Sequence, residues 1–204
     1  MAGQTVDQHP EAAPASPEAD GVEGENRFRA WLDAGQIDAL SIAQDKELLA
    51  RLFRNQLKRP DFLVLFPCIG LIAVDVKHHK LIRSGREQGF TLAVGDDLAP
   101  AAEFERVFRC PLWFAFTAKD QSDAQGWHFI SLFGALEQGE KRLNRQADPP
   151  KPFLFIPLTR FETILEAREM PARLSRLPQP IGFTRRLIHN HFDDPLPDRK
   201  APNP

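Results

Sequence analysis

Tyrosine is missing altogether from the 204 residues, and cysteine occurs only twice. Without tyrosine, no mechanism that passes through a covalent tyrosyl–substrate bond is open to the chain, which excludes relaxases, tyrosine recombinases and topoisomerases. Two cysteines are too few for a disulfide scaffold or a multi-cysteine zinc module. Long apolar runs are scarce as well. The longest without a charge, Phe62 to Val74, contains Pro67 and Gly70 and is closed by Asp61 and Asp75. It falls well short of the roughly 20 residues that a membrane-spanning helix needs. No basic-then-apolar signal pattern opens the sequence, so the cytoplasm is the expected compartment and no membrane partner is expected.

What is present is a soluble, globular composition, 42% hydrophobic and 26% charged, with sixteen phenylalanines. The formal charge of -2 is unevenly spread. Residues 1–25 carry six acids (Asp7, Glu11, Glu18, Asp20, Glu23, Glu25) and no lysine or arginine, so the remaining chain is basic, at net +4. Residues 1–22 read as a disordered acidic tail rich in alanine and proline, and 193–204 as a second flexible tail. Between them one domain is expected over 23–158, followed by a helical extension over 159–192 packed on it.

Hydrophobic period divides that domain into helices and strands. Glu25 to Ala34 reads as a helix with Phe28, Trp31 and Leu32 on one face and Gly35 as its stop. A second helix is expected over Gln44 to Leu57. Phe62 to Phe66 and Leu71 to Lys77 read as a β-hairpin about the Pro67–Gly70 turn, with opposed residues summing to 137. Short strands follow near Leu81 and Phe90 to Val94, then a helix from Asp97 to Arg109 with Pro100 in its first turn. Leu112 to Thr117, Trp127 to Leu132 and Phe153 to Leu158 read as strands. Thr159 with Glu162 has capping-box spacing and predicts a last helix. Mixed strands and helices predict an α/β fold, a central sheet flanked by helices.

The chemistry concentrates in Pro60-Asp61 and, fourteen positions further along, Asp75-Val76-Lys77. Residues two apart on a strand share a face, so Asp75 and Lys77 project together, and the hairpin brings Asp61 within one position of Asp75. Adjacent carboxylates repel, and each raises the other's pKa unless a cation compensates them. Oxygen ligands suit Mg²⁺, with a lysine beside them to orient or deprotonate water or to stabilise charge on a phosphate. From Arg51 to Arg86 there are eight basic residues, and Asp61 and Asp75 are the only acids. Lys58, Arg59, Lys80, Arg83, Arg86 and the two histidines His78 and His79 are therefore candidates for phosphate-backbone contacts. A plain ion-pair network of Asp61, Asp75 and Lys77 is the structural alternative. His189, His191, Asp193 and Asp194 have a metal-like look but belong to a proline-rich tail. Cys68, Cys110, Trp113 and Trp127 read as core.

This pattern resembles the PD-(D/E)xK, or restriction-endonuclease-like, nuclease superfamily over roughly Gly24 to Leu132, with a weaker extension to Leu158. Its hairpin is most similar to the nuclease-related domain and to Holliday-junction-resolvase-like members. The resemblance implies a core ordered helix, three-stranded meander, helix, strand. It implies that Glu25, Asp61, Asp75 and the Val76 carbonyl hold Mg²⁺, with Mn²⁺ able to substitute, and that Lys77 acts on the attacking water or the phosphate. The expected activity is metal-dependent hydrolysis of nucleic acid, with DNA the expected substrate and a homodimer an expected assembly. The alternative is a non-catalytic nuclease-fold module, mobile-element encoded, that binds nucleic acid or protein. The helix 102–108 lacks the glutamine that many members carry after the DxK strand, a departure from exonuclease-like subgroups.

Overall fold

The structure is a computed structural model that describes residues 17–42, 57–66, 70–119 and 126–177. Helix α1, Pro17–Ala34, leads into β1, Ala39–Ser41, β2, Phe62–Phe66, and β3, Gly70–His79. Strands β4, Ile82–Ser84, and β5, Glu87–Ala93, come next, and a wide helical turn, Val94–Leu98, runs into α2, Ala99–Phe108. Then follow β6, Leu112–Ala118, β7, Trp127–Ser131, α3, Leu132–Gln138, β8, Glu140–Asn144, β9, Lys151–Pro157, β10, Glu162–Ile164, and α4, Met170–Leu174. The strands form a six-stranded sheet, ordered β1-β2-β3-β6-β7-β10, and a four-stranded sheet, ordered β4-β5-β9-β8. β3 and β6 are parallel and every other pair is antiparallel, so the larger sheet is mixed. Within the larger sheet the order is helix, three-stranded meander, helix, strand, as the resemblance implies, with β4 and β5 of the smaller sheet inserted before α2.

β6 sits centrally and all seven of its residues are buried, which explains why it reads as an unbroken apolar run rather than an alternating one. Its alternate side chains feed two cores. Leu112, Phe114 and Phe116 join Ala73, α2 and the smaller sheet, while Trp113 and Ala115 join Ile72, Val74 and α1. α1 buries Phe28 and Leu32 completely, one turn apart, each worth about 2 kcal/mol relative to exposure. Phe28 meets Phe62 and Trp127 edge-on, with ring centroids 5.2 and 4.8 Å apart. The helix ends at Gly35 as expected, with Gln36 in the left-handed region at φ 55° and the Ile37 N–H donating to the Leu32 carbonyl at 3.0 Å.

Several readings change. The hairpin register is one residue tighter than expected: Phe62 faces Val74 and Phe66 faces Gly70, so opposed residues sum to 136. α1 begins at Pro17, inside the stretch that reads as a disordered tail, which puts Glu25 well inside the helix instead of in its first turn. No helix starts at Thr159. Residues Glu162–Ile164 add a sixth strand against β7, because Ile164 is fully buried there and the Thr163 hydroxyl contacts the His128 ring at 2.8 Å. Glu162 pairs with Arg173 rather than closing a capping box. Three strands of the smaller sheet match the runs expected near Leu81, over Phe90 to Val94 and over Phe153 to Leu158, while its edge strand β8 and its separation from the larger sheet have no counterpart in the sequence pattern. The expected helix over 44–57, the turn residue Cys68 and the tail 193–204 lie outside the described residues, apart from Leu57. No helix among the described residues is long and apolar enough to cross a membrane.

Candidate active site

Asp61 immediately precedes β2 and sits beside Asp75 at the open end of the β2–β3 hairpin, where paired residues begin with Phe62 and Val74. The Asp61 N–H donates to the Val74 carbonyl at 2.9 Å, and the Val76 N–H donates to Asp61 Oδ2 at 2.6 Å. Asp75 and Lys77 share a face of β3, and Lys77 Nζ lies 3.0 Å from Asp75 Oδ2. The same ammonium donates to Asp97 Oδ1 at 2.6 Å. Lys58 Nζ lies 3.4 Å from both Asp75 Oδ1 and Asp97 Oδ1. Two carboxylates and two ammoniums therefore alternate around a closed ring of charge. Asp75 is only 3% exposed, so little solvent screens the ring.

Asp97, in sequence no more than a helix start, holds the cluster to the next element. It lies near the end of the wide turn before α2, and its Oδ2 accepts from the Ala93 N–H at 2.8 Å. The acidic doublet Asp96-Asp97 before Pro100 is the available signal, but an acid at a helix start has an ordinary dipole explanation.

Electrostatics divides the cluster. Burial pushes the Asp61 carboxyl up, and the neighbouring Asp75 and Glu25 push it further, to about 8, against the opposing hydrogen bond from Val76. Glu25 is also raised, first by burial and then by Asp75. Burial acts on Asp97 in the same direction, but Lys77 and Lys58 overcome it and hold that carboxyl below its ordinary value. Burial alone would lower the Lys77 pKa. Asp75 and Asp97 outweigh it and keep the ammonium protonated.

The remaining candidates scatter. His78 is buried on the opposite face of β3, where the Arg27 guanidinium donates to its Nε2 at 3.1 Å. That position places it on the face of β3 that α1 covers, beside Gly24. His79 is half-buried on the Asp75–Lys77 face, and its imidazole pKa is lowered by burial and then by Lys77. Lys80, Arg83 and Arg86 are exposed along and beside β4. Lys58 is committed to the ion-pair ring. Arg59 lines a hollow of about 310 Å³ with Asp61, Asp75 and Lys58, and its Nη1 is buried without an acceptor among the described residues. Cys110 is a buried thiol raised to about 11 by burial and then by Glu105, so it is no nucleophile.

The fit to a hard divalent cation can be read from the donors. Asp61 and Glu25 are both raised, first by burial and then by the neighbouring Asp75, so a cation beside them would favour their ionised forms. Asp75 Oδ2 is buried with only the ion-pair contact to Lys77 and no directed hydrogen bond. All donors are oxygen, as Mg²⁺ and Mn²⁺ require. No group of three histidine, cysteine or acidic side chains among the described residues is already gathered to metal-ligating geometry. The residues fit the ion in chemistry, with Asp75 shared between it and the ion pairs to Lys58 and Lys77.

The local backbone holds these parts at close range. α1 crosses β3 at Gly24, where an added Cβ would stand 2.8 Å from the Cβ of His78. Only glycine lets the helix approach so closely, and Glu25 is the next residue.

No family model matches the chain, and no curated protein matches it. Among solved structures, it is similar to Hjc, a Holliday junction resolvase from the archaeal hyperthermophile Archaeoglobus fulgidus. Identity is 17% and the TM-score 0.45, over 75% of this chain and 96% of that one. It is also similar to D212, a nuclease from a fusselovirus, at 11% identity and a TM-score of 0.40, over 80% of this chain and 96% of the other.

Proposed function

We propose that the chain is a metal-dependent nuclease that hydrolyses phosphodiester bonds of DNA at the Asp61–Asp75–Lys77 cluster. The observation that carries this reading is the placement of Asp61 and Asp75 side by side at the open end of the hairpin, lining one hollow, with Lys77 on the Asp75 face of β3. Glu25, Asp61 and Asp75, with the Val76 carbonyl, would hold Mg²⁺ or Mn²⁺. That ion supplies Lewis-acid polarisation of the phosphate and a more acidic bound water. Lys77 stays protonated between two carboxylates, so its role is to stabilise charge building on the phosphate and not to act as a general base. Asp97 positions Lys77 from the far side. Arg59, with an unsatisfied donor in the adjoining hollow, supports an anionic substrate there.

The test is cleavage of supercoiled, linear, single-stranded and branched DNA, and of RNA, with Mg²⁺ or Mn²⁺. Metal-dependent cleavage of DNA that disappears in Asp75→Ala and Lys77→Ala, both still folded by circular dichroism, is the expected result. Cleavage that survives both substitutions, or none by the parent protein on any substrate, sinks the reading and leaves the non-catalytic module in its place.

A further inference from the structure

The four-stranded sheet packs one face on the core, and its other face is covered at Phe155 and Pro157 but open toward Ala93 and Phe153. Phe90, Leu92, Leu154 and Ile156 point into the core beside β6, and the alternate residues of β5 and β9 turn outward. On that outer face is an open hollow of about 520 Å³, with Ile82, Ala93 and Phe153 among the residues of its floor and Asn144, Arg145 and Lys151 on its rim. It is large enough for a nucleotide unit. Two cations and no acid line it among the described residues. Across the whole sheet, residues 80–93 and 140–157 hold seven basic side chains against three acids. Next to the hollow, Arg142 stacks over the Phe155 ring at 4.2 Å and donates to the Ser84 hydroxyl at 2.5 Å. Its guanidinium is thus already ordered on an aromatic face.

The hollow is joined to the candidate active site through one residue. Ala93 lines it, and the Ala93 N–H is the donor that holds Asp97 Oδ2 at 2.8 Å. From Ala93 the chain passes in a single turn to Asp97, and from Asp97 to Lys77. An anionic strand leaving the cluster in this direction meets a half-buried phenyl ring, side-chain amides and two cations. Those are the parts of a single-strand platform, with aromatic stacking for the base and ammonium or guanidinium groups for the phosphate. A duplex hides its base faces and cannot use Phe153.

We propose that this face binds unpaired nucleotides of nucleic acid next to the scissile site, so that substrates with a single-stranded flank are preferred. The inference rests on the nuclease reading for its context but is tested without catalysis. Binding of the full chain to a labelled oligo-dT of about 12 nucleotides, in EDTA, is read by fluorescence anisotropy and compared with a blunt duplex. Phe153→Leu keeps apolar volume and removes the ring. The Lys151→Ala, Arg145→Ala double variant alters only exposed side chains and so protects the test against misfolding. We expect Phe153→Leu to weaken single-strand binding about tenfold and leave duplex binding unchanged. The double variant should also lower the salt dependence, by about 0.7 in log–log slope for each phosphate no longer neutralised.

Unchanged single-strand affinity in both variants overturns the proposal. So does an equal loss on single strand and duplex, which would mark a general anionic surface. A poly-glutamate peptide bound as tightly as the oligonucleotide, and indifferent to Phe153→Leu, overturns it as well. The variants should cleave a short blunt duplex at the parent rate, since none of the three residues belongs to the Asp61–Asp75–Lys77 cluster. If no protein cleaves anything, the nuclease reading fails while the anisotropy still decides this one.

Discussion

Asp61 and Asp97 are the same side chain at two ends of one charge cluster, and the fold treats them oppositely. Asp61 faces two other acids across the mouth of a hairpin, and its carboxyl is driven up to about 8. Asp97 faces two lysines at the entry to α2, and its carboxyl is held below the ordinary value. Both are largely buried, so burial opposes ionisation in each. What differs is the sign of the neighbours, which decides the protonation state once solvent no longer screens. One end of the cluster is short of positive charge and the other has it in place. A nuclease site of the proposed kind, which would take a dication at one end and keep a fixed ammonium at the other, would use this imbalance.

The sharpest way to break the comparison is by substitution at each end. Asp75→Ala, at the junction, should lower cleavage by roughly 10²–10³-fold or more, measured as single-turnover rates with Mg²⁺ in excess. Asp97→Asn should destabilise the fold by about 1–2 kcal/mol in denaturant titration, because it leaves two half-buried lysines sharing Asp75 alone. Asp61→Asn in metal-free buffer should do the reverse and leave stability unchanged or higher, since it removes the repelled charge. Equal losses of stability for the Asp61 and Asp97 variants would refute the division of the cluster.

Metal should act at one end only. At about 100 times its dissociation constant, Mg²⁺ should stabilise the protein by about 2.7 kcal/mol, raising the melting temperature by roughly 5 °C or more. That rise should vanish in Asp61→Asn and persist in an Arg145→Ala control.

The pH dependence of the metal-free protein should also carry two opposite signs. A carboxyl with a lowered folded pKa stabilises fully above its unfolded value, so the Asp97 contribution is intact above pH 3.8 and lost as pH falls below it. A carboxyl with a raised folded pKa does the opposite. The Asp61 contribution is fullest below pH 3.8 and lost as pH climbs toward about 8. Melting curves in EDTA from pH 3 to 9 should show both losses, and Asp61→Asn should flatten the alkaline one alone. The smallest effect is expected from Gly24→Ala, about 1 kcal/mol from pushing α1 off β3. Activity should fall by more than that loss of stability accounts for, because Glu25 moves with the helix.

The parts of the site that are legible in the sequence are those whose partners are set by local geometry. Asp75 and Lys77 share a face because strand period is two, and Asp61 approaches them because a short turn reverses the chain. The register differs by one residue because sequence alone does not place the centre of the Pro67–Gly70 turn. Asp97 escapes a sequence reading because its tie to Lys77 spans twenty positions and leaves no periodic trace. β8 escapes it for a different reason: Glu-Lys-Arg-Leu-Asn lies at a sheet edge, half exposed, and carries no apolar alternation. The helix expected from Thr159 fails because pairing with β7 and burial of Ile164 outweigh a local capping pattern. α3, at seven residues, is too short for its period to register.

The parallel pairing of β3 with β6 has a consequence for how the molecule comes into being. Parallel neighbours cannot be joined by a tight turn, and here the connection carries β4, β5 and α2 before β6 can dock. Asp97 lies within that connection, so its bond to Lys77 closes only as the crossover does. Closure of a long loop comes late because its entropy must be lost before its contacts reward it. On a growing chain, the neighbouring carboxylates of the hairpin can be complete while the second sheet is not, since β9 has yet to be made. The full ring of charge at Asp75, Lys77, Asp97 and Lys58 is therefore completed only once the crossover has closed, later than the hairpin that carries Asp61 and Asp75.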